Sequence, residues 1–444
     1  MKRILILGAV AALLAASAGS AIANDARAIA LGGSVIANGK GVHGAIGNPA
    51  SMMAMQRRSE TVHFRFGFGA EFRDSGDTLD TLTDSENEDL ISDIEREIDV
   101  LSSAPITCNP IEGEFQSTGS DPCVSGTQSL SDLAGRVLDI IDLVDEESIE
   151  GLGVADVGMA FTHSTVPFAI NLRFSAAGSG SPDISDGDRA YISEFSTLLD
   201  DDSITLDELN SSEFLSFNDV GEPLTVQQPE DVLQTRGSGG ALLRTQLGVS
   251  LATTVIVGGH NVDLGVTPKF SSLRAQNLDI PVSDEFREEV PSASDQFKDS
   301  EVSESSFTID IGGSMLLPDI PVRVAAVIRN LIPESIKTMD GFEFETTPQL
   351  ILGAAFHRGL LSVTGDLALN EAEQDNFATQ KLGVGVEYGT RLLAVRAGIN
   401  HDAARTTETT ALSLGFGLGP LDIGGRVTGV DALEMGAQIA FSFK

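Results

Sequence analysis

Tryptophan is absent from the 444 residues, and tyrosine and cysteine occur twice each. Basic side chains are scarce: 28 Lys and Arg stand against 65 Asp and Glu, a net charge of −37. A chain so acidic repels polyanions, which excludes nucleic acid as a partner. Beyond residue 23 no run of 18 apolar residues occurs, so no helix is expected to span a membrane. The six histidines (His43, His63, His163, His260, His357, His401) show no metal-ligand spacing. The Asp200, Asp201, Asp202 run lacks the glycine and the oxygen spacing of a calcium loop. Gly33 to Lys40 has one residue too many for a phosphate-binding loop, with Gly41 where Ser or Thr belongs, and no G-x-S-x-G elbow occurs. No metal, cofactor or catalytic centre is expected, and the chain does not read as an enzyme.

The N-terminus is informative. Lys2-Arg3, an apolar run from Ile4 to about Ala16 and Ala21-Ile22-Ala23 form a secretory signal, residues 1–23, with an A-x-A cleavage site. In an oxidising compartment Cys108 and Cys123 either close a disulfide loop of 16 residues, worth about 3 kcal/mol in the chain-entropy model, or remain two thiols.

The acidity is concentrated. Residues 73–151, 176–238 and 275–302 together hold 43 acids against 7 bases, which leaves the remainder close to neutral. These are three acidic insertions in a neutral framework, and an acidic run is ordinarily a solvated surface. One contains a helical pattern, Ser131 to Asp142, with Leu133, Val137, Leu138 and Ile141 on one face behind a Ser131 cap.

The framework alternates with period two. At 62–72, Val62, Phe64, Phe66, Phe68, Ala70 and Phe72 interleave with His63, Arg65, Gly67, Gly69 and Glu71. The same pattern predicts fourteen strands, near 61–72, 153–163, 167–176, 240–257, 261–274, 303–316, 320–329, 347–357, 360–370, 378–388, 391–400, 408–418, 420–428 and 434–443. A soluble sandwich also alternates. Loop length separates the two, because every second connection is tight and the others are long. An even strand count with loops sorted by parity, behind an export signal, predicts an all-β, antiparallel, fourteen-stranded transmembrane barrel in the outer membrane of a Gram-negative cell. Closure satisfies the backbone where lipid offers no partner. The girdle aromatics usual in such barrels fall here to 22 phenylalanines.

Parity then assigns a lumen face, with candidates His63, Arg65, Arg173, Arg244, Asp263, Arg323, Asp366, Glu387, Arg396 and Arg426. Mixed signs across a narrow interior pair with one another, so a partly filled barrel is expected rather than a wide pore.

DARAIALGG (25–33) followed by GNPAS (47–51) resembles the N-terminal signature of the FadL-like superfamily of outer-membrane barrels. Its signature positions are Asp25, Arg27, Gly32, Gly33, Asn48 and Pro49. Within that group the chain more closely resembles the barrel-type conjugal transfer protein TraF family, through this signature, the helical insertion ending near Leu143, Val327-Ile328-Arg329-Asn330-Leu331-Ile332-Pro333 and Val395-Arg396-Ala397-Gly398-Ile399-Asn400-His401. The absence of C-x-x-C separates it from thioredoxin-like proteins of the same name. The last strand resembles the C-terminal signal read by the barrel assembly machinery, at Gly436, Ile439, Phe441 and Phe443, although the final aromatic is here penultimate.

The resemblance implies a fourteen-stranded fold with residues 24–60 as a glycine-rich plug and 61–444 as the barrel. It implies one of two roles: an interaction platform in an envelope or conjugation complex, or a plugged channel taking up small hydrophobic compounds. Outer-membrane lipid and the assembly machinery are the partners expected under either.

Overall fold

In the computed structural model the alternating segments pair edge to edge until no edge is left. The strands are β1 (Val62–Asp74), β2 (Ile149–Phe161), β3 (Phe168–Asp183), β4 (Arg236–Val257), β5 (His260–Pro281), β6 (Val302–Leu316) and β7 (Val322–Arg329), then β8 (Gln349–Arg358), β9 (Leu361–Ala368), β10 (Lys381–Gly389), β11 (Leu393–Asp402), β12 (Thr410–Leu418), β13 (Leu421–Val427) and β14 (Glu434–Phe443). Each pairs antiparallel with its neighbours in this order, and β1 pairs with β14 to close a fourteen-stranded barrel. Three short helices precede it: α1 (Ala26–Ala30), α2 (Gly41–Gly47) and α3 (Met52–Arg57), with a 3-10 turn at Pro49–Ser51 before the last. A longer helix, α4 (Asp186–Leu198), follows β3.

The structure describes residues 26–39, 41–57, 62–74, 110–111, 114–115, 135–136, 138–139, 149–162, 166–198, 215–216, 225–226, 236–281, 300–339, 341–374, 377–390, 392–404, 410–428 and 434–443. The signal segment, Asp25, Cys108 and Cys123 lie outside them. Of the helix expected at 131–142, Gly135, Arg136, Leu138 and Asp139 are described and helical, and Gly135 faces Ser196 of α4.

The faces are sorted inside out relative to a soluble protein. Phe68, Leu247, Leu352, Val384, Leu414 and Ile439 point outward and are 41–70% exposed, whereas Arg65, Asp156, Thr267, Asp366, Glu387 and Gln438 point inward and are buried. A soluble sandwich buries its apolar face; this barrel displays it. At the closing seam Phe66 stacks on Phe441 at 4.9 Å between ring centroids and approaches Phe443 at 6.4 Å. Phe66→Ala is expected to loosen β1 from β14 by about 1 kcal/mol, read as a lower temperature at which the folded band shifts on a heat-modifiability gel.

The tight connections share one end. Gly258 and Gly259 both have positive φ, 58° and 84°, which suits the two-residue turn between β4 and β5. Strand ends differ from the sequence expectation on the opposite side: β1, β2, β3, β4 and β5 all run on into the acidic insertions, and β4 and β5 reach 22 residues each while β13 has 7. The wall is therefore tall over β2–β6. On its outer surface the apolar belt ends near Leu243 and the Phe270–Phe307 pair, with exposed Ser272, Arg274, Ser303 and Ser305 beyond. Pairing between β4 and β5 lapses at Val249–Ser250 opposite Thr267–Pro268, where proline has no N–H to give. There Thr267 donates to the Ser250 hydroxyl at 2.8 Å.

Two connections expected to be loops carry structure of their own. Glu334–Lys337 pairs with Glu343–Thr346, and Ala372–Gln374 pairs with Phe377–Thr379, forming one four-stranded sheet. Its Ile336, Phe344 and Phe377 pack against inward-facing Leu152, Ala177, Leu242, Leu273 and Ala275 of the tall wall. Sheet lies on sheet across an apolar layer, as in a sandwich. This cap lies at the long-connection end, since both of its hairpins belong to long connections.

Candidate functional site

Residues 26–39 and 41–57 run along the inner wall and visit the strands in reverse order. Ala26 lies on Gly424 of β13, Ala30 on Gly415 of β12, and Leu31 between Gly398 of β11 and Gly385 of β10. Ile36 follows on Gly353 of β8, then Asn48 on Gly312 of β6 and Pro49–Ala50 on Gly265 of β5. Met52 and Met55 finally bury themselves with Val42 against Ala160, Ala169 and Ala252. Strand glycines mark most crossings because the segment's backbone sits where a side chain would stand. A β-carbon at Gly385 would lie 2.5 Å from the Leu31 carbonyl oxygen. Gly385→Val is therefore expected to push the N-terminal segment off the wall while leaving strand pairing intact, read as raised bilayer conductance with a normal folded band.

Local chemistry explains the path. Gly32 N–H donates to Ile29 O at 3.0 Å and Gly33 N–H to Ala28 O at 2.8 Å, with φ of 65° and 84° at the two glycines. The pair ends α1 in a Schellman turn that a residue with a β-carbon resists. Gly32 also passes so close to the Ile399 carbonyl that no β-carbon fits, whereas Gly33 has open space beside it. Pro49 opens a 3-10 turn, and α3 intervenes before the first strand. Asn48 caps that turn, its side-chain oxygen accepting from Ala50 N–H at 3.1 Å, as short side chains do at such starts. Its amide donates to Ile36 O and to Gly313 O, both at 3.2 Å, tying the segment to itself and to β6.

Charged groups on the inner face hold the segment. Arg27 donates from Nε to Glu387 at 2.7 Å and from Nη1 to Asn38 O at 3.0 Å. Arg396 reaches the same Glu387 oxygen at 2.7 Å and Asp422 at 2.6 Å. Asp366 accepts from the Val35 and Ile36 N–H groups at 2.6 and 2.8 Å. Asp263 receives Arg57 at 2.8 Å and Arg323 at 3.2 Å, and the bond to Asp263 raises the Arg57 guanidinium above its ordinary value.

The remaining lumen candidates sit elsewhere on the inner face. Arg65 pairs with Asp156 at 2.7 Å, with buried His63 nearby on the same strand; Arg173 is half-buried opposite Asp156 in the register. Arg244 donates to Thr346 of the cap at 2.9 Å, and Arg426 pairs with Glu71. At the C-terminus Gly436 faces inward between Glu71 and Arg426, while Ile439, Phe441 and Phe443 face outward. The ten candidates thus divide between those touching the N-terminal segment directly (Glu387, Asp366, Asp263), those one contact removed (Arg396, Arg323), one touching the cap (Arg244), and a separate group near the β1–β2–β14 seam.

Several contributors escaped sequence reasoning. Glu334, Ile336, Phe344 and Phe377 of the cap lie in stretches too short for a period to register, although Glu334-Ser335-Ile336-Lys337 and Glu343-Phe344-Glu345-Thr346 do alternate. On this sheet the Glu373 carboxyl is raised by burial and by the repulsion of Glu371 and Glu345. Asn330, the one buried non-glycine residue with positive φ among those described, gave no signal beyond its place in the Val327–Pro333 stretch. Among the described residues no cluster of side chains suits a metal ion.

These features define a closed, fourteen-stranded antiparallel barrel along whose inner wall its own N-terminal segment runs and against whose tall wall a small sheet packs. The chain belongs to the family described as "F plasmid transfer operon, TraF, protein", whose model matches residues 45–367. Among solved structures it is similar to the toluene transporter TodX of Pseudomonas putida: one crystal structure gives 11% identity and a TM-score of 0.47, covering 95% of this chain and 99% of that one. A second gives 11% and 0.44, covering 96% and 98%. The translocator domain of the autotransporter NalP from Neisseria meningitidis is similar at 10% identity and a TM-score of 0.31, covering 89% and 96%. No curated protein matches the sequence.

Proposed function

We propose that this protein is an outer-membrane barrel, stopped to free diffusion at rest, that serves as an interaction platform in an envelope assembly such as conjugal transfer. The observation that carries the reading is the occupied lumen: residues 26–39 and 41–57 line the wall, inner charges are spent on ion pairs, and Phe344 and its neighbours pack on the inner face of the tall wall. The outward apolar belt supports a lipid setting, since only a closed sheet leaves no unpaired backbone there. The acidic connections would give such a platform a field that selects basic partner surfaces and repels anionic solutes. The family's description favours a place in plasmid transfer. Planar-bilayer recording and mating assays test it together. Negligible conductance of the intact protein and loss of plasmid transfer on deletion of the gene are expected; a steady, large conductance would overturn the stopped barrel, and unaltered transfer the conjugal role.

A second reading, uptake of small hydrophobic compounds, is favoured by the lapse in pairing at Pro268, a weak point in the wall facing lipid. Loss of labelled alkane or fatty-acid uptake on deletion of the gene would select it over the platform.

A further inference from the structure

We propose that residues 329–334 are a mechanical link by which displacement of the N-terminal segment releases the cap. The inference goes beyond either reading of the function and holds under both. The two fillings of the lumen come from distant parts of the sequence, yet one short stretch touches both. Arg329, the last residue of β7, donates to the carbonyl of Gly47 in the N-terminal segment at 3.4 Å and is attracted by the carboxylates of Asp310 and Asp366. Asp366 is the group that grips Val35 and Ile36.

The next residue, Asn330, is buried with a left-handed φ of 50°. Asparagine tolerates that conformation better than other non-glycine residues but less well than glycine, and here its contacts hold it there. Those contacts are visible. Its N–H donates to Asp310 at 2.9 Å, its side-chain oxygen accepts from Lys269 at 2.5 Å, and Lys269 is itself paired with Asp310 at 2.7 Å. Leu331 and Ile332 then bond to Ile309 and Thr308 of β6. Glu334, the first residue of the cap sheet, accepts from Ser306 and lies 3.8 Å from Arg244.

Asp310 is the shared element. Arg329 deprived of Gly47 keeps two nearby carboxylates, and either choice disturbs the lock. Turning to Asp310 competes with Lys269 and the Asn330 N–H. Turning to Asp366, now without its backbone donors, draws the end of β7 away from the Lys269–Asp310 pair. The turn relaxes, and with it the path into Glu334.

Trypsin cleavage after Lys337, whose side chain is exposed on the cap sheet, reads the cap's opening in the full-length protein. Cleavage ends are identified by mass spectrometry, and the heat-modifiable band reports a closed barrel. Gly385→Val, which acts at Leu31 and touches no cap residue, is expected to raise the initial cleavage rate about tenfold, since proteolysis follows the population of the opened form. In an Asn330→Gly background, where the turn holds without the lock, cleavage stays near the unaltered rate and Gly385→Val no longer raises it. If Gly385→Val does not give the closed-barrel band, deletion of residues 26–47 carries the same readout. A variant that conducts more than the intact protein, and so has lost its N-terminal filling, yet is cut after Lys337 at the unaltered rate overturns the link.

Discussion

Deletion of residues 26–47 is expected to convert a non-conducting barrel into a steady pore, with single-channel conductance up by about tenfold or more, in a protein that still migrates as a folded barrel. Fourteen strands enclose a lumen wider than the eight-strand case that side chains alone can fill, so an added occupant decides whether solution passes. The barrel should survive because none of its ladders uses a residue of the segment; β1 to β14 pair with one another throughout. Nor does removal strand buried charge. Glu387 loses Arg27, and Asp366 loses the Val35 and Ile36 N–H groups, but water enters the vacated space and solvates them. The lumen gains net negative charge, so the new pore should prefer cations, which a reversal-potential measurement across a salt gradient checks. Asn48 stays tied to Gly313 and α3 remains, so the pore is narrower than strand number alone implies. Conductance that does not change on deletion would remove the segment from any gating role.

The barrel was legible because one physical constraint repeats along it. Each strand shows an apolar face outward and a polar face to the lumen, so His63 and Arg65 alternate with Phe64 and Phe66, and Glu387 with Val386 and Tyr388, and every repetition strengthens the period. The short turns were legible for a similar reason, since Gly258-Gly259 and Gly359 announce positive φ. The cap was not. Its strands hold three or four residues, and what makes Phe344 a core residue is the tall wall over β2–β6, whose height comes from strands continuing into segments that acidity alone marks as solvated. The lumen residues were assignable to a face but not to partners. Arg27 and Glu387 stand 360 positions apart, and nothing local in DARAIALGG says which strand its arginine reaches. The strand glycines belong to the same class: Gly385 and Gly398 look like weak strand formers until the backbone of Leu31 is seen to occupy their missing side chains. Long-range complementarity of this kind leaves no period behind.

The largest loss of stability is expected from Glu387→Gln. Glu387 lies between two guanidinium groups, Arg27 and Arg396, and the three are only 4–6% exposed. The glutamine keeps the volume and removes the charge that both cations share. Arg396 retains Asp422 at 2.6 Å and Arg27 retains the Asn38 carbonyl, but the two cations lose the shared anion that lay between them. Removing one partner of a buried pair costs about 3–5 kcal/mol, most of it from the charge left behind. The N-terminal segment can escape that cost by withdrawing into water, so the loss should appear as release of the segment before any unfolding of the barrel: raised conductance at ordinary temperature and a lower folded-band transition. Arg27→Met in the same chain removes the stranded cation. The double variant is therefore expected to be more stable than Glu387→Gln alone, with a coupling of about 1–3 kcal/mol between the two positions. If the two substitutions simply add, Arg27 is not held by Glu387, and the anchoring of the segment rests on its other contacts, among them Asp366, Asn48, the Arg57–Asp263 pair and the strand glycines.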